Sequence, residues 1–517
     1  MRRAFRSNPP PPLDDELTKF TELQRTLRER WELLPTLDQG PRDVVIIPSL
    51  SLDGLAMTNI AGVSHYEERM LFALSLLRHP RARLVYVTSE PLHPATVDYH
   101  MSLLQGIPTA HARGRLTLLS TYDTSSRPLT EKILERPRLI ERIRRAIEPS
   151  RAHMTCFTSS ALERTLAVQL GVPLYGLDPG LLHLGTKGGS RACFKEAGIR
   201  HPEGIEDINS TSDIPRAIAE LWEEVPSTRR MVVKHAQGFS GEGNAVVNLA
   251  PLADIAPGSG DHATRVSRIE EHLATMRCNG SFPTWQDFGT EFDRQGGGVV
   301  EVFIEGKRKT SPSGQISITP SGELQCISTH DQLVGGPDGQ NYEGCRFPAA
   351  ELYRMAIQDD AMAVGSILQK RGVIGRAAVD FVAVERGPGD WEHYAIEINL
   401  RMSGTTHPLM ILRMLNGGKF DTETGRFVTG RGEPRCYVSS DTIQSEQYRG
   451  LLVDDLLDIA AVHELHYRPW TDTGVVFHLM GALSEFGKVG ITAIGRTHKE
   501  ARQFFDATRR VLDAETA

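Results

Sequence analysis

Four side chains on two neighbouring apolar runs could do chemistry together. Asp380 lies within 377–385 (AAVDFVAVE), and Glu397, Asn399 and Arg401 alternate through 393–401 (HYAIEINLR). Pro388-Gly389 stands between the runs and predicts a tight antiparallel hairpin. Folded there, the hairpin sets Asp380 opposite Glu397, about 5 Å apart at Cβ. Side chains alternate along a strand. Tyr394, Ile396, Ile398 and Leu400 therefore share one face, and Ala395, Glu397, Asn399 and Arg401 the other, with neighbours on a face about 7 Å apart. Opposed like charges repel. A hard divalent cation, Mg²⁺ or Mn²⁺, relieves that repulsion through carboxylate and amide oxygens. The alternative is a solvated polar sheet face.

A second group points to phosphate. The run Met231–His235 carries Lys234 and enters a loop with Gly238, Ser240, Gly241 and Gly243, after which Ala-Val-Val resumes a strand. No G-K-[ST] is present and no helix follows, so neither a P-loop nor a dinucleotide fingerprint is read. A glycine-rich hairpin can still lie over a polyphosphate, because backbone N–H groups approach closely where no Cβ intrudes. A surface hairpin is the plainer reading. Lys187 precedes a short helix, 188–198, that ends at Gly198. Glu301 is embedded in an apolar strand and needs a partner. The exocyclic amine of adenine is one, and an internal Lys or Arg is the other.

These residues need elements to carry them. Residues 1–12 read as a Pro-rich lead and 13–34 as a packing helix with Trp31 near its end. Strand-like runs at 44–48, 84–88, 116–120, 154–158 and 173–177 alternate with helical stretches at 65–78, 95–105, 130–148 and 160–170. That pattern predicts an open parallel α/β domain over 41–180. Beyond it, 299–305, 315–319 and 324–328 read as successive antiparallel strands with a turn at 320–323, and a long helix follows at 349–371. Segment 417–436 reads as a linker. A small unit follows, with a helix near 452–464, strands at 475–480 and 489–494, and a final helix opened by a Thr497/Glu500 capping box.

Composition narrows the classes. The 517 residues suggest three or four domains at roughly 100–200 residues each. The chain is 40% apolar and 24% charged, which excludes wholesale disorder. Its net charge of −7 argues against a nucleic-acid coat or a polybasic membrane binder. The six cysteines include no C-x-x-C pair, so a reduced cytoplasmic setting is expected. Neither an apolar run long enough to span a bilayer nor a secretory signal is read.

The order is Lys, then a strand Lys with a glycine loop, then V-V-E-x-F-I-x-G, then a strand Asp, then E-x-N-x-R. It resembles the ATP-grasp family over residues 181–420. Within that family, four strings resemble the pheganomycin-type peptide ligases: T-K-G-G-S-R-x-x-F-x-E-A-G at 186–198, S-T-H-D-Q at 328–332, E-I-N-L-R-x-S-G-T-T-H-P at 397–408 and T-G-V-V-F-H-L at 473–479.

The resemblance implies a mixed α/β and α+β architecture in four parts. These are a tail and packing helix (1–40), a pre-ATP-grasp α/β domain (41–180), an ATP-grasp domain with antiparallel sheets (181–425, lid about 199–300) and a small C-terminal α/β domain (426–517). It implies that Lys187 and Lys234 hold ATP phosphates under a loop shaped by Gly238, Ser240, Gly241 and Gly243. Glu301 would accept from the adenine amine, and the backbone at Phe303 would meet the base edge. Glu305 is the ribose candidate, since Lys307-Arg-Lys309 stands where many members carry that acid. Asp380, Glu397 and Asn399 would ligate Mg²⁺, with Glu397 bridging two ions. Ala378 stands where some ligases carry an arginine, and Arg401 would supply that charge at the transferred phosphoryl group.

The activity implied is ATP-dependent ligation of a small-molecule carboxylate to an amino-acid or peptide amine through an acyl phosphate, possible in a homo-oligomer. An ATP-grasp phosphotransferase and a non-catalytic nucleotide-binding protein are the alternatives. For substrate contacts, His330, Asp331, Gln332, Tyr342 in the loop 339–344, Thr405, Thr406 and His407 are candidates. Each could equally cap or brace a loop. His478, in an apolar strand, reads as a hydrogen-bonded structural residue.

Overall fold

Short apolar runs near the N-terminus bury both faces and form a parallel sheet. Strands β1 (Arg42–Ile47), β2 (Ala82–Thr88), β3 (Leu116–Ser120), β4 (Ala152–Cys156) and β5 (Leu174–Tyr175) lie in the order β3-β2-β1-β4-β5. All neighbouring pairs are parallel. The computed structural model describes residues 13–33, 40–51, 57–58, 60–238, 243–276, 278, 282–335 and 341–517. The expected lead at 1–12, Ser240, Gly241 and positions 339–340 lie outside them.

The packing helix runs Leu13–Leu33, and its Trp31 ring meets Tyr175 with centroids 4.8 Å apart. Two helical expectations are revised. The stretch expected as 65–78 is a 3₁₀ helix, Val63–Arg78. The stretch expected as 130–148 is two helices, Leu129–Leu134 and Pro137–Ala146. Pro137 has no N–H to continue a helix and sits at the start of the second.

A four-stranded antiparallel sheet follows, β6 (Gly204–Ile208), β7 (Arg230–His235), β8 (Asn244–Asn248) and β9 (Gly298–Val302), in the order β6-β9-β7-β8. It contains the segment expected as the lid. Strand β9 belongs here, paired with β6 and β7, rather than beside the strands that follow it in sequence.

The largest sheet has ten strands. Its main path begins β14 (Asp390–Asn399), β13 (Gly375–Gly387), β10 (Lys309–Ile318), β11 (Leu324–Gly335), β12 (Asn341–Phe347) and β17 (Pro434–Gln444). It continues through β16 (Arg426–Val428) to β15 (Lys419–Asp421), while β19 (Lys488–Gly495) pairs β17 and β18 (Gly474–His478). The segment expected as a linker is therefore mostly strand, and the C-terminal strands extend the same sheet. Polar residues 328–332, expected just past a strand, lie inside β11, and Tyr342 lies in β12 rather than in a loop.

Directly paired residues share a sheet face. Glu397, Asp380, Ser313 and His330 are paired in succession, as are Phe347, Tyr437 and Ile494, and the His330 and Phe347 rings meet with centroids 5.3 Å apart, so the two runs form one row across the sheet. The helix Val63–Arg78 and the helix Thr406–Asn416 pack over the apolar end of that row. The opposite face buries Val379, Ile398, Phe381 and Ile316 against the helix Arg354–Lys370. Gly314 allows the close approach: a Cβ there would lie 2.6 Å from that of Ala361.

Candidate functional site

The hairpin places its acids as expected. Asp380 pairs with Glu397, and Ala378 pairs with Asn399. One detail of the alternation is corrected. A bulge between Asp380 and Phe381 inserts Ile396 as an extra residue on β14, so Phe381 pairs with Ala395. Ala395 is fully buried with Ile398 and Leu400 in the core. It does not share the face of Glu397, because an unpaired residue resets the two-residue period.

Asn399 donates its amide hydrogens to Asp380 Oδ2 at 2.9 Å and Glu397 Oε1 at 3.0 Å. Lys187 Nζ ion-pairs with the other oxygen of Glu397. Ser313 and Gln332 hydrogen-bond Asp380. Burial pushes the Asp380 carboxyl up, opposed by those bonds and by the charges of Arg401 and Lys187. Burial lowers the Arg401 guanidinium, whose charge faces Asp380. The donor set fits a hard cation. Two carboxylates and a carboxamide converge on one patch, and protons from Asn399 and Lys187 stand between acids that would otherwise repel. Asp380, Glu397 and Asn399 would hold Mg²⁺ there through oxygen.

Lys187 reaches this face from above. It is the first residue of the helix Lys187–Ala197, which Thr186 caps and left-handed Gly198 ends. Its backbone N–H donates to the Ala236 carbonyl at 3.0 Å, tying the helix to the strand that carries Lys234. Burial, reinforced by the charge of Lys234, lowers the Lys187 amine to about 7. Both amines are buried, Lys187 paired with Glu397 and Lys234 with Glu301. Gly243 closes the loop after Lys234 at a φ of +80°, with its carbonyl accepting from His235 N–H at 2.9 Å. A Cβ at 243 would sit 2.8 Å from the His235 ring, so both conformation and space call for glycine. Gly238, at the other end, is exposed.

The residues expected on the adenine side have partners within the protein. Glu301 ion-pairs with Lys234 through one oxygen and with Arg191 at 3.1 Å through the other. Burial opposes its charge, yet Lys234 and Arg191 hold the carboxyl below its usual range. The internal Lys and Arg are therefore its partners in this structure. The Phe303 N–H donates to the Arg230 carbonyl at 3.0 Å, so that donor too is taken by protein. Glu305 pairs with Arg230 at 2.6 Å near the surface. Phe303 and Glu305 line a cleft of about 750 Å³ together with Arg200, Arg229, Arg386 and Tyr394.

Of the substrate candidates, Gln332 bonds Asp380, and the others have partners within the protein. His330 is buried and bonds Tyr437 Oη at 2.6 Å, and burial lowers its imidazole to about 3. Asp331 takes Tyr353 Oη at 2.6 Å, the Ala350 N–H at 3.1 Å and an ion pair with Arg346, which anchors the turn before the helix Arg354–Lys370. Thr406 Oγ1 accepts from Ser403 N–H at 3.0 Å, and Thr405 bonds Ser403 at 2.7 Å. Tyr342 packs over Gly404, where a Cβ would lie 2.6 Å from its ring. His407 is buried against His478 and Asp441.

Sequence reasoning missed Ser313, which carried no signal apart from its position in the strand opposite Asp380. It also missed a role for Arg191, although that residue lies within the string quoted at 186–198. Asp441 sits in a Ser-Ser-Asp stretch without a recognisable motif.

A family described as IQCH-like, ATP-grasp matches residues 261–423, and one described as PGM1 C-terminal domain matches residues 455–508. The L-propargylglycine–L-glutamate ligase of Streptantibioticus cattleyicolor is 31% identical over 452 residues, covering 86% of this chain and 89% of that protein. The IQ motif-containing protein H of Danio rerio is 23% identical, covering 80% of this chain but 42% of its own length. Among solved structures, the biotin carboxylase domain of the Hydrogenobacter thermophilus 2-oxoglutarate carboxylase, in complex with MgADP, superposes with a TM-score of 0.54 at 11% identity, over 90% of this chain and 89% of that one. Campylobacter jejuni biotin carboxylase gives 0.53 at 12%, over 93% and 96%. These two share the fold. No helix among the described residues is long and apolar enough to cross a membrane. With its carboxylate row, its paired lysines and a ligase relative matched along most of both chains, this chain belongs to the ATP-grasp carboxylate–amine ligases.

Proposed function

We propose that the protein uses ATP to activate a small-molecule carboxylate as an acyl phosphate and joins it to the amine of an amino acid or peptide. The observation that carries this reading is the row on β13 and β14, with Asp380, Glu397 and Asn399 converging beneath Lys187. A carboxylate and an amine do not condense in water without activation. Phosphorylation by ATP supplies a leaving group, and Mg²⁺ held by the three oxygens would neutralise charge on the transferred phosphate. We propose two ions, bridged by Glu397, with Mn²⁺ able to replace Mg²⁺.

The chain's own residues then have distinct tasks. Lys187 and Lys234 hold phosphate oxygens as point charges, which relieves two amines now sharing a buried space. Arg401 stabilises the oxyanion formed when the amine attacks the acyl carbon. Binding nucleotide moves Lys234 away from Glu301, whose second partner, Arg191, remains. Glu305 would reach the ribose by giving up Arg230. The relative's name gives L-glutamate as one partner, which makes an amino-acid amine the acceptor to offer first.

The test is ADP release from purified protein supplied with Mg²⁺, ATP and matrices of carboxylates and amino acids. Release that needs both partners, together with a condensed product in the mass spectrum, is the expected result. Phosphate appearing on a stable hydroxyl acceptor instead would assign a phosphotransferase.

A further inference from the structure

The sheet face that carries Asp380 leads, four strands along the order, to β17 and a second buried polar group. His407 stands near the start of the helix Thr406–Asn416, Asp441 lies on β17 where a bulge breaks its pairing with β19, and His478 ends β18. His478 Nε2 is 2.9 Å from Asp441 Oδ1, and His407 Nε2 is 3.1 Å from the same oxygen. The two Nε2 atoms are 3.0 Å apart. All three residues are at most 4% exposed. Arg69 donates to the other oxygen, Oδ2, at 3.2 Å, which leaves Oδ1 to the rings. Among the described residues the Nδ1 atoms of both rings have no hydrogen-bond partner, and the contacts that orient the rings lie on the Nε2 side.

Protons alone cannot satisfy this triangle. A carboxylate oxygen only accepts, and each Nε2 either donates or accepts. If both nitrogens donate to Oδ1, two N–H groups face each other along the third edge. If one nitrogen is bare, its lone pair faces the carboxylate. Every arrangement leaves one edge repulsive in a place closed to water. A single cation meets all three lone pairs at once. Ligand atoms about 2.1 Å from an ion lie about 3.0–3.4 Å apart between octahedral and tetrahedral geometry. Two imidazoles and one carboxylate suit zinc and its first-row neighbours better than magnesium. The seat is also shaped for the ring: a Cβ on Gly490 would lie 2.1 Å from His478 Cδ2.

We propose that His407, Asp441 and His478 form a second metal site for Zn²⁺ or a neighbouring divalent transition metal, bound through Nε2, Oδ1 and Nε2. The ion clips the C-terminal strands to the helix that follows the carboxylate hairpin. Three protein ligands leave further coordination positions for water or a small anion.

The test uses the full chain, produced without a histidine tag or chelating resin and with no nucleotide present, so it is independent of the ligase reading. Elemental analysis should find one zinc-class ion per chain, falling below a tenth of that in Asp441→Asn and His478→Ala. A variant that fails to fold also loses metal, so the wild type supplies a second reading. After chelator treatment, Co²⁺ should develop visible ligand-field absorption that saturates at one ion per chain, and Zn²⁺ should bleach it. Wild-type protein that takes up neither ion overturns the site, as does undiminished uptake by Asp441→Asn.

Discussion

The two ends of one sheet face differ in how they are built. At the β13–β14 end, acids stand on adjacent strands of one hairpin and are balanced by an amide and an ammonium group. At the β17–β18 end, an acid and two imidazoles come from separate segments and are closed in by helices. Between them the row passes through His330, Phe347 and Tyr437, which hold one another by stacking and a hydrogen bond. One face thus carries a half-buried carboxylate end and a packed end that joins three parts of the chain.

Glu397→Gln is the change that would break this contrast most sharply. It keeps the shape but removes the charge that draws a cation and holds Lys187. Product formation should fall on the order of a thousandfold, since a Lewis-acid contact is worth several kcal/mol. Circular dichroism should stay unchanged. Lys234→Met tests the buried ion pair beside that end. It leaves Glu301 with Arg191 alone and should cost about 3 kcal/mol in urea unfolding, the low side of the range for breaking a buried pair.

The middle of the row is sharpened by pH. His330 is lowered to about 3 and His153 to about 4, both by burial, from an ordinary value of 6.5. The unfolded chain therefore binds protons that the folded chain refuses. The stability this confers is present above pH 6.5 and is lost as pH drops from there toward 3. His330→Phe should flatten that fall in a melting series. The smallest effect is expected at Glu305→Ala. Its pair with Arg230 is 46% and 39% exposed, so stability should change by no more than about 1 kcal/mol. A several-fold rise in the KM for ATP, with kcat unchanged, would add a ribose contact to that pair.

The same contrast explains what the sequence could tell. The Asp380–Glu397 register was legible by counting from the turn, and the count holds at the acids because two one-residue shifts, one between Glu385 and Gly387 and one at Ile396, offset each other. The bulge at Ile396 was not, since an extra residue leaves no mark in a strand of alternating types. The five parallel strands were legible as apolar runs between helices. The place of β9 in the four-stranded sheet was not, because pairing partners far apart in sequence follow from tertiary packing. His330 and Asp331 drew attention as polar residues, and burial inside β11 turned them to bracing. Asp441 meets two histidines only because three distant segments converge, and residue spacing carries no record of that.

The central claim, that the row on β13 and β14 activates a carboxylate, is tested most directly by trapping the acyl phosphate. With hydroxylamine in place of the amine, the wild type should form hydroxamate in step with ADP, and Glu397→Gln should form almost none. Equal hydroxamate from Glu397→Gln, or ADP released by the wild type with no hydroxamate under a carboxylate it turns over, would contradict the account.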